Sequence, residues 1–157
     1  MKPNETYCIV VTFYPEIKKL EQVIQSIKKN NCQIIIIDNT DKKTKFTNLP
    51  SHHTIYLEKN LGISYAQNLG IQLALEKGAH YIWLSDQDTI YPHDFLQKML
   101  SAAADCHNQG INIGALAPVY FDTKKGSAQP FINQTPFTRK FTPKKHLNEI
   151  SHAIASG

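Results

Sequence analysis

The sequence contains no apolar run approaching the roughly 20 residues needed to span a bilayer. Its first residues, Met1-Lys2-Pro3-Asn4-Glu5, pass straight into a short strand-like stretch rather than a signal-peptide core, so the cytoplasm is the expected compartment. Cysteine is sparse. Cys8, Cys32 and Cys106 are odd in number and show no Cys-x-x-Cys or nearby histidine spacing, which argues against a disulfide framework or a structural zinc site and predicts reduced, mostly buried thiols. No Gly-x-Gly-x-x-Gly follows the first apolar stretch, so a dinucleotide-dependent oxidoreductase is disfavoured. Acidic residues almost vanish from the last quarter, where Glu149 is the only carboxylate after Asp122.

What is present fits one ordinary globular chain of 157 residues, 41% hydrophobic and 19% charged, with a net charge of +4. Its cations gather at Lys18-Lys19, Lys28-Lys29, Lys42-Lys43-Lys45 and Arg139-Lys140-Lys144-Lys145. The first two pairs read as solvated helix faces, and a balance this mild implies no nucleic-acid partner. The last cluster is interleaved with Phe137, Phe141 and Pro143. It reads either as a basic loop with anchoring aromatics or as a surface for phosphates or the anionic inner face of a membrane.

Along the chain, residues 7–14 form a β-branched and aromatic run stopped by Pro15, a central strand. From Glu16, the apolar residues Ile17, Leu20, Val23, Ile24 and Ile27 recur at helical spacing until Asn30-Asn31. Gln33-Ile34-Ile35-Ile36-Ile37 is continuously apolar, as in a strand covered on both faces, and ends in Asp38-Asn39. Residues 39–53 are a polar loop, and Thr54-Ile55-Tyr56-Leu57 is a short third strand. Gly62 then permits a tight turn and Ser64 is placed to cap a helix whose core face is Tyr65, Leu69, Leu73 and Ala74, with Gly78 as its stop. A strand at Tyr81-Ile82-Trp83-Leu84-Ser85 is followed by a helix through Phe95, Leu96, Met99, Leu100 and Ala103, and by a further strand-like run in residues 112–120. This alternation predicts an α/β fold: a mostly parallel central sheet with helices on both faces. Residues 1–122 form its main body. Residues 123–157 read as a long loop with a short hairpin and a strand-like tail, all within the same domain.

The fourth strand ends abruptly in Asp86-Gln87-Asp88-Thr89. Open α/β sheets place ligands at the carboxyl ends of their strands. If the extended geometry persists to Thr89, alternation puts Asp86 and Asp88 on one side. Two carboxylates so close repel unless a cation lies between them, and a hard divalent metal with oxygen ligands fits that need. Because Asp, Gln and Thr also suit turns, a plain polar turn is the competing reading.

Taken together, Val10-Val11-Thr12-Phe13-Tyr14-Pro15, Ile37-Asp38-Asn39, the segment Asn60-Leu61-Gly62-Ile63-Ser64-Tyr65-Ala66-Gln67-Asn68-Leu69-Gly70 and Asp86-Gln87-Asp88 resemble the family-2 inverting glycosyltransferases of the GT-A fold, in particular rhamnosyltransferase-like members. The resemblance covers about residues 7–123, and Ile154-Ala155-Ser156-Gly157 is similar to a segment such enzymes carry before their acceptor half. It implies binding of a UDP- or dTDP-sugar and transfer to a saccharide or lipid-linked acceptor in cell-surface polysaccharide synthesis. It also implies Mg²⁺ or Mn²⁺ on Asp88, with Asp86 assisting the metal or bonding ribose. Asp38 would accept the base N–H, Thr12, Phe13, Tyr14 and Pro15 would shape the base pocket, and Asn60, Gly62 and Asn68 would complete the donor site. Asn60 and Gly62 read equally as turn residues, Asp38-Asn39 as a strand-ending turn, and Gln67 and Asn68 as an exposed helix face. Gln67 departs from the Arg that the family often has there. An inverting transfer also needs a general base, for which Glu149 is the only late acid. Such enzymes continue into an acceptor-binding region beyond the Ser-Gly segment, so a fragment or partner subunit that binds donor without transfer is the alternative. Asp86-Gln87-Asp88-Thr89 also matches the Asp-x-Asp-x-Thr of haloacid-dehalogenase-like phosphatases, although there the motif follows the first strand.

Overall fold

The computed structural model describes residues 5–42, 46, 49–119, 121–122, 126–128, 131–134 and 138–141. The chain divides into two compact units, Met1–Leu100 and Ser101–Gly157.

The first unit is built on four parallel strands in the order β3-β2-β1-β4. They are β1 (Thr6–Thr12), β2 (Gln33–Asp38), β3 (His53–Tyr56) and β4 (Tyr81–Ser85). Helix α1 (Ile17–Lys28) connects β1 to β2, α2 (Ile63–Glu76) connects β3 to β4, and α3 (Phe95–Asn108) follows β4. Strand alternation sends Cys8, Val10, Ile34, Ile36 and Trp83 to one face, where Leu20, Val23, Ile24 and Ile27 of α1 and Leu96 and Leu100 of α3 cover them. Ile9, Ile35 and Ile37 pack on the other face against α2. Ile34, Ile35, Ile36 and Ile37 are all fully buried. Each contributes about 2 kcal/mol of transfer free energy, which is why an unbroken apolar run marks a strand covered on both sides.

Helix α2 differs from its expected packing. The residues it buries are Ala66, Gly70 and Ala74, a small-residue stripe at four-residue spacing, while Leu69 and Leu73 flank the contact and Tyr65 is exposed. A Cβ on Gly70 would lie 2.5 Å from Cγ2 of Ile9 and 3.4 Å from Cγ1 of Ile37, so the absent side chain lets this helix sit close on β1 and β2. Ser64 lies inside the first turn instead of capping it; the cap is Gly62, without a side-chain bond. The predicted stop holds. Gly78 (φ 82°) donates to the carbonyl of Leu75 and Ala79 donates to that of Ala74, the paired bonds of a Schellman ending.

In the second unit, residues 111–119 form no strand. Gly114 and Pro118 interrupt the run, and Ile111, Ile113 and Val119 are exposed, so no sheet edge compensates for ordering them. Two short antiparallel pairs follow, β5 (Phe121–Asp122) with β6 (Ser127–Ala128) and β7 (Phe131–Gln134) with β8 (Thr138–Phe141). Glu149 and the expected tail strand lie outside the described residues, as do Lys144 and Lys145. Among the described residues no helix is long and apolar enough to cross a membrane. Cys8, Cys32 and Cys106 are free and buried, and burial pushes the Cys32 thiol up to about 12.

Candidate active site

Parallel strands bring their carboxyl ends to one edge, and register decides which residues meet there. Thr12 stands opposite Asp38, the last residue of β2. Asp38 is only 1% exposed. Its Oδ1 accepts from the Thr12 hydroxyl at 2.8 Å, from the Thr40 hydroxyl at 2.7 Å and from the Thr40 backbone N–H at 3.4 Å. The Asp-x-Thr sequence builds this arrangement locally, since an Asp readily accepts from the backbone two residues on. Oδ2 accepts nothing from the described residues. The carboxylate is therefore fixed by one oxygen and offers the other to an N–H or O–H donor.

The loop after β1 is gripped from both sides. On the β4 side, the Phe13 N–H donates to Oε1 of Gln87 at 2.8 Å, and Nε2 of Gln87 donates to the Phe13 carbonyl at 3.3 Å. On the β2 side, the Tyr14 N–H donates to the Thr40 hydroxyl at 3.0 Å. Tyr14 adopts a left-handed conformation (φ 44°), which costs a non-glycine residue on the order of 1 kcal/mol and persists because these bonds hold it. Its hydroxyl donates to Asp41, which pushes the phenol pKa up, and Lys42 lies 5.3 Å from the ring centroid. Phe13 meets Tyr14 edge-on at 4.8 Å. Both rings are about half exposed, and Pro15 is partly buried before α1.

The loop before α2 is fastened to the end of β2 by Asn39, which the sequence placed in the strand-ending motif without a role of its own. Asn39 donates from its backbone to the Thr12 carbonyl at 2.8 Å and from Nδ2 to Oδ1 of Asn60 at 3.0 Å, and its own Oδ1 accepts from Leu61 at 2.8 Å. Asn60 Oδ1 also accepts from the Gly62 N–H at 3.0 Å. Gly62 has φ 85° and ψ 154°, a region essentially closed to side-chain-bearing residues. Backbone geometry thus accounts for Asn60 and Gly62 as scaffold of this edge. Asn68 is exposed in the second turn of α2, and no hydrogen bond ties it to the cluster among the described residues.

The acidic motif is a turn. Strand β4 stops at Ser85, which pairs with Val10, two residues short of Thr12, and residues 87–88 turn. The condition for a shared side, extended geometry through Thr89, is therefore not met, and Gln87 instead bonds the Phe13 backbone. Asp86 is half-buried and Asp88 exposed. Burial, reinforced by the charge of Asp88, pushes the Asp86 carboxyl up to about 6. No described residue donates a hydrogen bond to either carboxylate. Lys19, in the first turn of α1, pairs with Glu16 at 2.8 Å; that bond chiefly raises its pKa, and Asp88 adds a smaller pull. This lysine read from sequence as plain solvated surface. Among the described residues no three His, Cys, Asp or Glu side chains cluster as a closed metal cage. Two carboxylates do fit Mg²⁺, which commonly takes one or two of them and completes its shell with phosphate oxygens and water.

Residues 8–155 match the model for Glycosyl transferase family 2. The chain is 35% identical over 133 residues to dTDP-rhamnosyl transferase RfbF of Shigella flexneri, an alignment covering 83% of this chain and 43% of that protein. It thus spans less than half the length of the curated relative it matches. The Asp-x-Asp-x-Thr sequence follows β4 rather than β1, against the phosphatase reading, and the parallel sheet with helices on both faces agrees with a GT-A fold. With the matched region running from β1 past the acidic turn, the chain belongs to glycosyl transferase family 2.

Proposed function

We propose that this chain is the donor-binding part of a metal-dependent inverting glycosyltransferase. It moves a sugar, rhamnose by its likeness to the dTDP-rhamnosyl transferase, from a dTDP- or UDP-sugar to a saccharide or lipid-linked acceptor of a cell-surface polysaccharide. The observation that carries this reading is a contrast at one sheet edge: a buried acceptor, Asp38, with one oxygen fixed and one open, beside a turn bearing two carboxylates that accept no hydrogen bond from the described residues.

In this reading Asp38 Oδ2 accepts the imide N–H of thymine or uracil, and Thr12 and Thr40 keep that oxygen aimed. Phe13, Tyr14 and Pro15 wall the base, and Asp86 accepts from a ribose hydroxyl or joins Asp88 at the metal. A nucleoside diphosphate carries about two negative charges, so Asp86 and Asp88 repel it unless a cation intervenes. Asp88, with Asp86 assisting, would hold Mg²⁺ or Mn²⁺, which would supply the positive charge a departing diphosphate needs. Lys19 adds positive charge on the same side. The work is done in the cytoplasm, at the inner face of the membrane when the acceptor is lipid-linked.

A second reading is donor binding without transfer; within these 157 residues Glu149 is the candidate base. Labelled dTDP-rhamnose, incubated with Mg²⁺ and the chain with and without saccharide and lipid-linked acceptors, separates the two. Acceptor-dependent label that disappears in Glu149→Gln supports transfer by this chain. Bound donor with at most slow hydrolysis supports the second reading, and failure to bind any pyrimidine nucleotide refutes both.

A further inference from the structure

The residue between the two acids has a role of its own. A Gln side chain presents an acceptor oxygen and a donor amide nitrogen, and both are used on the backbone of one residue, the N–H and carbonyl of Phe13, which belong to the two peptide units on either side of it. Glu would keep only the acceptor, Asn is one methylene shorter, and an apolar residue would offer neither. Phe13 in turn lies between Thr12, whose hydroxyl holds Asp38, and Tyr14, whose N–H is held by Thr40. Thr40 closes the path by donating to Asp38. An unbroken run of hydrogen bonds and peptide units therefore joins the turn bearing Asp86 and Asp88 to the carboxylate at the end of β2. Apart from Gln87, the described hold on the turn is the Ser85 hydroxyl, which donates to the Asp86 carbonyl at 3.0 Å; the flanking carboxylates accept nothing from the described residues, and β4 has already ended at Ser85.

We propose that Gln87 is a positioning residue that couples the two halves of the donor site, so that cation at the Asp86–Asp88 turn tightens the grip on the base and base tightens the turn. The inference rests on the donor-binding reading above and deepens it. Closing Asp86 and Asp88 on a cation fixes the turn. Gln87 then fixes the Phe13 peptide, which sets the base-side loop before any base arrives. By linkage the effect is reciprocal and equal in both directions. A clasp that merely stabilised the fold would show no such dependence.

The discriminating ligand is thymidine, which carries the base but no phosphate to touch the metal. In the wild-type chain, excess Mg²⁺ should tighten thymidine about fivefold over EDTA, a typical coupling factor. In Gln87→Met, of similar length but without either hydrogen bond, that factor should fall to about one while dTDP still binds better with Mg²⁺. Hydrogen exchange of the Phe13 amide gives a readout that needs neither ligand nor variant: Mg²⁺ alone should slow it in the wild-type chain. If Gln87→Met fails to fold, the wild-type exchange decides. An unchanged Mg²⁺ factor in folded Gln87→Met, or Phe13 exchange indifferent to Mg²⁺ in the wild type, overturns the coupling even when dTDP binds well. A wild-type chain that binds neither thymidine nor dTDP refutes the donor-binding reading itself, a different result from uncoupled binding.

Discussion

The end of β2 and the end of β4 share one sheet edge and both carry aspartate, yet the fold treats them in opposite ways. Asp38 is buried and its Oδ1 accepts three hydrogen bonds from Thr12 and Thr40. Asp86 and Asp88 sit half-buried and exposed, their carboxylates take none from the described residues, and Asp86 is pushed up to about 6. A buried carboxylate with one oxygen fixed by its neighbours needs no cation to hold it, and its other oxygen stays open to a donor. A carboxylate that is partly desolvated beside a like charge is a group whose electrostatics something else can complete, and in the proposed reading a cation does so.

Substitutions can break this contrast, beginning with the largest effect. Asp88→Ala should remove the Mg²⁺-dependent gain in dTDP affinity, a loss on the order of a hundredfold, because in the proposed reading it deletes a metal ligand while leaving Asp38 intact. Calorimetry with and without Mg²⁺ measures it. Asp38→Asn keeps an oxygen for Thr12 and Thr40 but turns the open oxygen into an amide donor facing an N–H. Thymidine affinity should fall by about 1–3 kcal/mol, with chemical unfolding midpoints nearly unchanged. Gly70→Ala tests the frame beneath both aspartates. Its Cβ would crowd Ile9, so unfolding free energy should drop by about 1–3 kcal/mol.

The smallest effect concerns pH. The ordinary value for an Asp carboxyl is 3.8, and Asp86 in the fold is raised to about 6, so the folded chain holds this proton more tightly than the unfolded one. The favourable contribution is complete below 3.8 and lost as pH rises through about 6. Asp86→Asn should therefore stabilise the metal-free chain at neutral pH by about 1 kcal/mol once solvent screening of a half-exposed group is allowed for, and leave stability near pH 4 unchanged. Thermal melts across that range check the sign. In the unsubstituted chain Mg²⁺ affinity should weaken as pH falls below about 6, as protons compete for Asp86.

Much of this edge was legible in the sequence because buried parallel strands announce themselves. The isoleucines of β2 and the abrupt polar stops at Asp38 and Asp86 place both chemistry-bearing ends before any coordinate is known. The errors have physical causes. Tyr65 resembled a core residue by spacing, but the contact of α2 is made by Ala66, Gly70 and Ala74, whose smallness matters only once the distance to Ile9 is known. Residues 112–120 had strand composition but Gly114 and Pro118 within it. The role of Gln87 was not legible because strand alternation stops at Ser85, and only the turn after it brings this side chain to the Phe13 backbone. The roles of Asn39 and Thr40 were not legible because they lie in partners about 20 to 30 positions away, Asn60 and Tyr14.

The most direct test is calorimetric titration of the wild-type chain with dTDP and with thymidine, each in Mg²⁺ and again after EDTA. Both ligands should bind, and chelation should weaken dTDP far more than thymidine, because only the diphosphate meets the cation at Asp86 and Asp88. An affinity for dTDP that EDTA leaves unchanged would contradict the metal bridge and, with it, the division of labour between the two strand ends.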